Sequence, residues 1–223
     1  MNLREWNARL HGLVVFRALL DDPVVAKLVD LTDRMETCAP GNAAVCDAVA
    51  QFEATLFDHT VNWSDHLSAA VLETETVCVR QAAAGALSPV LQTALDRELA
   101  FLQALCGLTL DELLASAGSA AGQAQELDFL PRWETRPIDL PAAYAQRMSE
   151  AGKKGYGMFA KHHVFTVEGG RLVPVKYPDP QKLSELPGYE GEREKVLANT
   201  RALLSGMPAN NVLLYGDAGT GKS

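Results

Sequence analysis

The residues of this chain best suited to chemistry are Gly216-Asp217-Ala218-Gly219-Thr220-Gly221-Lys222-Ser223. They fit the phosphate-loop (Walker A) pattern G-x-x-x-x-G-K-[ST] at every fixed position. The glycines let the backbone curl so that successive N–H groups face phosphate oxygens with no Cβ in the way. Lys222 would supply a point charge to the β- and γ-phosphates, and Ser223 a hydroxyl to a nucleotide-bound Mg²⁺. With glycine at about 7% of residues, the fixed positions match by chance in roughly one chain of this length in a hundred. The match therefore favours a nucleotide-phosphate loop over a plain glycine-rich turn, with ATP and Mg²⁺ as the cofactors.

Such a loop needs a strand before it. Asn211-Val212-Leu213-Leu214-Tyr215 is a short apolar run bounded by turn residues, and it reads as a buried parallel strand. Upstream, a turn at Leu186-Pro187-Gly188-Tyr189-Glu190 leads into a helix over Glu192 to Leu204. Ser205-Gly206-Met207-Pro208 closes that helix in the order of a glycine C-cap followed by proline. Turn, helix and phosphate-loop strand follow one another as they do at the start of AAA+ ATPases.

The stretches Gly155-Tyr-Gly157-Met-Phe-Ala160, His163-Val-Phe165, Leu172-Val-Pro-Val175, Pro178-Asp-Pro180, Leu186-Pro-Gly-Tyr-Glu190 and Pro208-Ala-Asn-Asn-Val-Leu-Leu-Tyr-Gly216 carry a more specific likeness. Over about residues 150–223 the chain resembles a bacterial family of predicted AAA+-like P-loop ATPases of uncharacterised role. The resemblance implies that Gly188 and Tyr189, in the turn before the first helix, line an adenine pocket. Packing of Tyr189 on the helix start is the competing reading. It also implies a Walker B acid, a sensor residue and an arginine finger after the phosphate loop, and an oligomer of identical subunits. Residues 1–223 contain none of those three elements. The chain by itself is thus expected to bind ATP weakly and not to hydrolyse it.

Ahead of this segment, His163–Val167 and Leu172–Val175 read as a β-hairpin turned by Glu168-Gly169-Gly170-Arg171. Pro174 confines the second strand to an edge. Tyr177-Pro178-Asp179-Pro180 makes an extended link. Lys153-Lys154-Gly155 is a small basic patch, read as an exposed turn because two lysines supply few phosphate contacts. Ser116 to Gly122 is small and flexible, and Pro131, Pro137 and Pro141 punctuate the chain beyond it. Residues 117–150 therefore read as a linker, with Trp133 docking it to a neighbouring surface and a short helix over Ala142 to Met148.

Residues 1–116 read as helices. Leu3, Trp6, Leu10, Leu13 and Val14 keep three-four spacing toward Arg17. Asp22-Pro23 opens a helix to Met35, Asn42 caps another through Phe57, and Ser64 to about Ala84 reads as one helix ended by Gly85. Ser88-Pro89 starts the next, through Leu105, and Thr109 caps Leu110 to Ala115. The apolar periodicity predicts that 1–116 fold alone. His59 and His66 share a helix spacing, but two histidines make a weak metal signal. Cys38, Cys46, Cys78 and Cys106 form no C-x-x-C pair and read as buried thiols.

Charge is uneven. Residues 1–150 hold 10 Lys+Arg against 21 Asp+Glu, a balance of −11, while 151–223 hold 10 against 7, a balance of +3. An acidic helical half repels a phosphate backbone, which argues against nucleic acid as a partner. No apolar run is long enough for a bilayer and no signal-peptide pattern opens the chain, so a cytoplasmic protein is expected.

The fold expected is a mainly α N-terminal domain (1–116), a linker (117–150), a β-hairpin with its extended link (151–180) and the truncated start of an AAA+-like α/β P-loop domain (181–223). The function expected is ATP binding in an ATPase whose helical domain engages a protein partner. Two alternatives stand beside it: a nucleotide-dependent switch with little hydrolysis, and a helical interaction module.

Overall fold

The computed structural model describes residues 1–39, 42–118, 127–154, 162–175, 177–178, 180, 182–185 and 188–216. It divides into two compact units, Met1–Pro174 and Val175–Ser223.

The first unit is helical. Its helices are α1 (Leu3–His11), α2 (Pro23–Thr37), α3 (Ala43–Phe57), α4 (Trp63–Glu73), α5 (Val77–Ala83), α6 (Pro89–Cys106), α7 (Leu110–Ser116) and α8 (Leu140–Lys154), with a 3₁₀ turn over Arg17–Asp21. The helices start where expected at Pro23 and Pro89, and Asn42 caps α3 as predicted. The side chains of Asp22, Asn42 and Ser88 accept backbone N–H bonds at the starts of α2, α3 and α6. Thr109 and Glu112 make a reciprocal capping box on α7.

In this unit three expectations need correction. The first helix stops at His11. Beyond Gly12 the amides of Val14, Val15 and Phe16 all donate to the Glu98 carboxylate, at 2.9, 3.1 and 3.0 Å. That grip holds the chain out of the helical path while Leu13, Val15 and Phe16 enter the core. The helix expected from Ser64 to Ala84 is two helices. Thr74 donates its hydroxyl back to the Ala70 carbonyl at 2.8 Å, and Thr76 caps α5 by accepting from the Val79 amide at 3.2 Å. Hydroxyl side chains that bond the backbone in this way compete with helix continuation.

The expected linker is itself part of the core. Leu127, Trp133, Leu140 and Tyr144 are buried in the same core as α1–α7. The short helix expected at 142–148 is α8, which packs on α5, α6 and α4. The helical core therefore extends well past residue 116.

The core is organised around aromatic rings and helix ends. Phe52 meets Trp63 and Trp133 edge-on, with ring centroids 5.4 and 4.8 Å apart. The last carbonyls of α6 have no intrahelical partner. Leu105 receives the Trp63 indole N–H at 2.8 Å and Cys106 the Ser64 hydroxyl at 2.8 Å. Trp133 donates its indole N–H to Leu108 at 2.9 Å. Polar termini buried in this way retain their hydrogen bonds. Among the described residues no single helix is long and apolar enough to cross a membrane.

The expected hairpin forms with shifted bounds: β1 (Phe165–Glu168) runs antiparallel to β2 (Arg171–Pro174), and Glu168 and Arg171, expected in the turn, pair with each other as strand residues. Gly169 and Gly170 have φ of 56° and 78°, the left-handed pair that a two-residue turn between twisted strands requires.

The second unit holds a 3₁₀ turn, Leu183–Glu185, and α9 (Glu190–Leu204). Gly206, at φ 70°, ends α9. Its amide bonds Leu203 and the Met207 amide bonds Ala202 at 2.9 Å, a Schellman closure at the predicted glycine. The buried strand expected at 211–215 is not present among the described residues: Asn211 to Tyr215 forms no ladder and is exposed, Tyr215 at 90%. A strand exists by pairing, and no second strand lies beside this run among the described residues.

Candidate functional site

Of the predicted phosphate loop, Gly216 is described, at φ 155°. Asp217, Ala218, Gly219, Thr220, Gly221, Lys222 and Ser223 lie outside the described residues. The patch residue Gly155 does too.

The predicted adenine-side pair is described. Gly188 and Tyr189 stand back to back in the left-handed region, at φ 74° and 58°. Tyr189 is the one non-glycine residue with positive φ among the described residues. That conformation costs a side-chain-bearing residue on the order of 1–2 kcal/mol. It turns the chain sharply into α9, whose first turn carries Glu190 and Glu192. Tyr189 is 60% exposed, so its ring is not packed into a core. Among the described residues no hydrogen bond joins Gly188 or Tyr189 to Gly216.

Polar clamps on α9 order the flanking chain. The Arg193 guanidinium donates to the Leu183 carbonyl at 2.7 Å, tying down the 183–185 turn. The Asn199 side chain donates to the Asn210 carbonyl and accepts from the Asn210 amide, both at 2.8 Å.

Other candidate groups fall in the helical unit. His59 and His66 come together, with rings 5.5 Å apart. His66 stacks on Trp63, and its Nε2 lies 3.0 Å from the Asp22 carboxylate. Against the cost of its own burial, the His66 contact and the Val24 and Val25 amides hold the Asp22 carboxyl below its usual range. Among the described residues no group of three or more His, Cys, Asp or Glu is placed to hold a metal ion. Cys78 and Cys106 are buried, and burial pushes the Cys106 thiol up to about 12, which keeps it an inert thiol.

A buried carboxyl also lies in this unit. Glu53 is 1% exposed, and neither carboxylate oxygen has a hydrogen-bond partner. Burial pushes its pKa up to about 7, against the pull of Arg132 and of the nearby Trp133 amide, which stands outside hydrogen-bonding geometry. Arg132 spends its own donors on the carbonyls of Leu127 and Leu130. A signal does exist in the sequence: position 53 lies four residues after Val49, on the apolar stripe of α3.

The segment that holds α9 and the phosphate-loop pattern is similar to a known family model. Residues 159–223 match the family model described as Protein of unknown function (DUF815). The DUF815 match covers under a third of the chain and takes in the hairpin, Gly188, Tyr189, α9 and residues 216–223. The helical core that closes at Tyr144 lies before it. No curated protein and no solved structure matches the chain.

Proposed function

We propose that this protein binds ATP with Mg²⁺ through Gly216–Ser223 and works as an AAA+-like P-loop ATPase, its helical unit offering a surface to a protein partner. The observation that carries the reading is G-x-x-x-x-G-K-S placed directly after an apolar run and a glycine-capped helix. Lys222 meets the β- and γ-phosphates, Ser223 meets the metal, and the backbone amides from Gly216 onward cradle the phosphate oxygens. Gly188 and Tyr189 take the adenine side. The open ring of Tyr189, at the mouth of a strained turn, suits stacking on a base. Hydrolysis would come from a metal-holding acid and a water-positioning group outside residues 216–223.

Nucleotide titration of the natural full-length protein, with and without Mg²⁺, tests this. Lys222→Ala removes a charge-assisted contact and should weaken ATP binding by about 1.5–3 kcal/mol, roughly ten- to a hundredfold or more. Ser223→Ala should lower affinity for Mg-ATP more than affinity for ATP without metal. If Lys222→Ala binds ATP as the parent does, residues 216–223 are a plain turn and the reading fails.

A further inference from the structure

α9 contains no buried residue. Val196 and Leu197 are half-buried, and the bonds that α9 makes to the chain before and after it are polar and directional. The Schellman closure fixes Met207, and three residues later Asn199 takes both backbone groups of Asn210. One side-chain amide thus offers Asn210 the donor–acceptor edge that a neighbouring strand would offer. From Asn210 the chain leads directly to Gly216, with no ladder holding residues 211–215 among the described residues. A tilt at Asn210 is passed along those residues, and ligand sites lose function over displacements of about 1 Å.

We propose that Asn199 is a positioning residue for the phosphate loop, setting the direction in which residues 211–215 deliver Gly216 to the nucleotide. The inference rests on the ATP reading above. Asn199 touches no phosphate; it acts through the backbone of Asn210. Arg193, six residues earlier on the same helix, anchors the turn that precedes Gly188 and Tyr189. α9 thereby works as a bracket with one polar clamp toward each end of the nucleotide site.

The test measures amide hydrogen exchange at Asn210 and Mg-ATP affinity together, in the natural full-length protein. Asn199→Ala should expose the Asn210 amide to exchange and weaken Mg-ATP binding about tenfold, with α9 amides still protected. Asn199→Asp keeps the acceptor and loses the donor, so it should fall between parent and Ala in both readouts. It also carries the test should the alanine variant unravel α9. Unchanged affinity in a variant whose Asn210 amide has been freed overturns the proposal while leaving the ATP reading intact. So does a loss of affinity with Asn210 still protected. Lys222→Ala, run alongside, separates the two ideas: if it binds ATP like the parent, the ATP reading falls first and takes this inference with it.

Discussion

Glu53 is a carboxylate in the wrong solvent. It lies on the core side of α3, 1% exposed, with both oxygens unpartnered and Arg132 occupied elsewhere. Its pKa rises from about 4.5 to about 7, so the folded state holds the proton more tightly than the unfolded chain does. The folded protein then binds more protons between those values, and its stability must fall as pH rises from about 4.5 through about 7 before levelling off. At about 1.4 kcal/mol per pKa unit the penalty reaches roughly 3 kcal/mol at about pH 8. Glu53→Met keeps the unbranched shape and discards the charge. In urea unfolding at several pH values, the variant should lack this slope and exceed the parent by about 2–4 kcal/mol at about pH 8. Identical slopes in the two proteins would show that Glu53 is solvated or paired.

At the level of elements, local signals are legible in the sequence and distant ones are not. Asp22, Asn42, Ser88, Thr109 and Gly206 are readable as caps because each acts on its own next turn or closes the one before. The end of α1 is decided by Glu98, 84 residues from Val14, and the break before α5 is buttressed by Tyr144, whose hydroxyl meets Thr76 68 residues away. Neither partner is visible in a local window. The phosphate-loop pattern is legible because its chemistry fixes adjacent types, whereas the stripe of α3 places Glu53 inward without showing that Arg132 and Trp133 come near it. The burial of Trp133 and of the residues after it changes the expectation for a truncated helical domain. Residues 1–116 lack Trp133, Leu140 and Tyr144, all buried in the core. Removing one such aromatic side chain costs about 3–5 kcal/mol, and a domain has about 5–15 kcal/mol in total. Residues 1–154 should therefore melt cooperatively by circular dichroism, while 1–116 should melt far lower or without a cooperative transition. Equal melting temperatures would return residues 117–150 to the role of a tether.

Across the whole molecule, the two kinds of order have different sources. The helical core closes within Leu3 to Tyr144, on apolar packing and satisfied helix ends. Every residue proposed to meet nucleotide lies within 188–223, where α9 has no buried side chain and Leu203, Leu204, Leu213 and Tyr215 stand exposed. A segment held by directional bonds with little packing opens locally at small free-energy cost. A ligand that binds only the closed form of such a segment stabilises it by RT ln(1 + [L]/Kd), about 2.7 kcal/mol at a hundredfold excess over Kd. Saturating Mg-ATP should therefore slow amide exchange in α9 and at Asn210 by up to about a hundredfold. Core amides of α2, α3 and α6, which exchange through opening of the helical core itself, should keep their rates. Lys222→Ala should abolish the slowing in α9 and leave the helical melt untouched. Exchange followed residue by residue, with and without Mg-ATP, decides it. Protection appearing in α2 and α3 at the same nucleotide concentration would mean that the helical core takes part in holding the ligand, and the assignment of the site to residues 188–223 would have to give way.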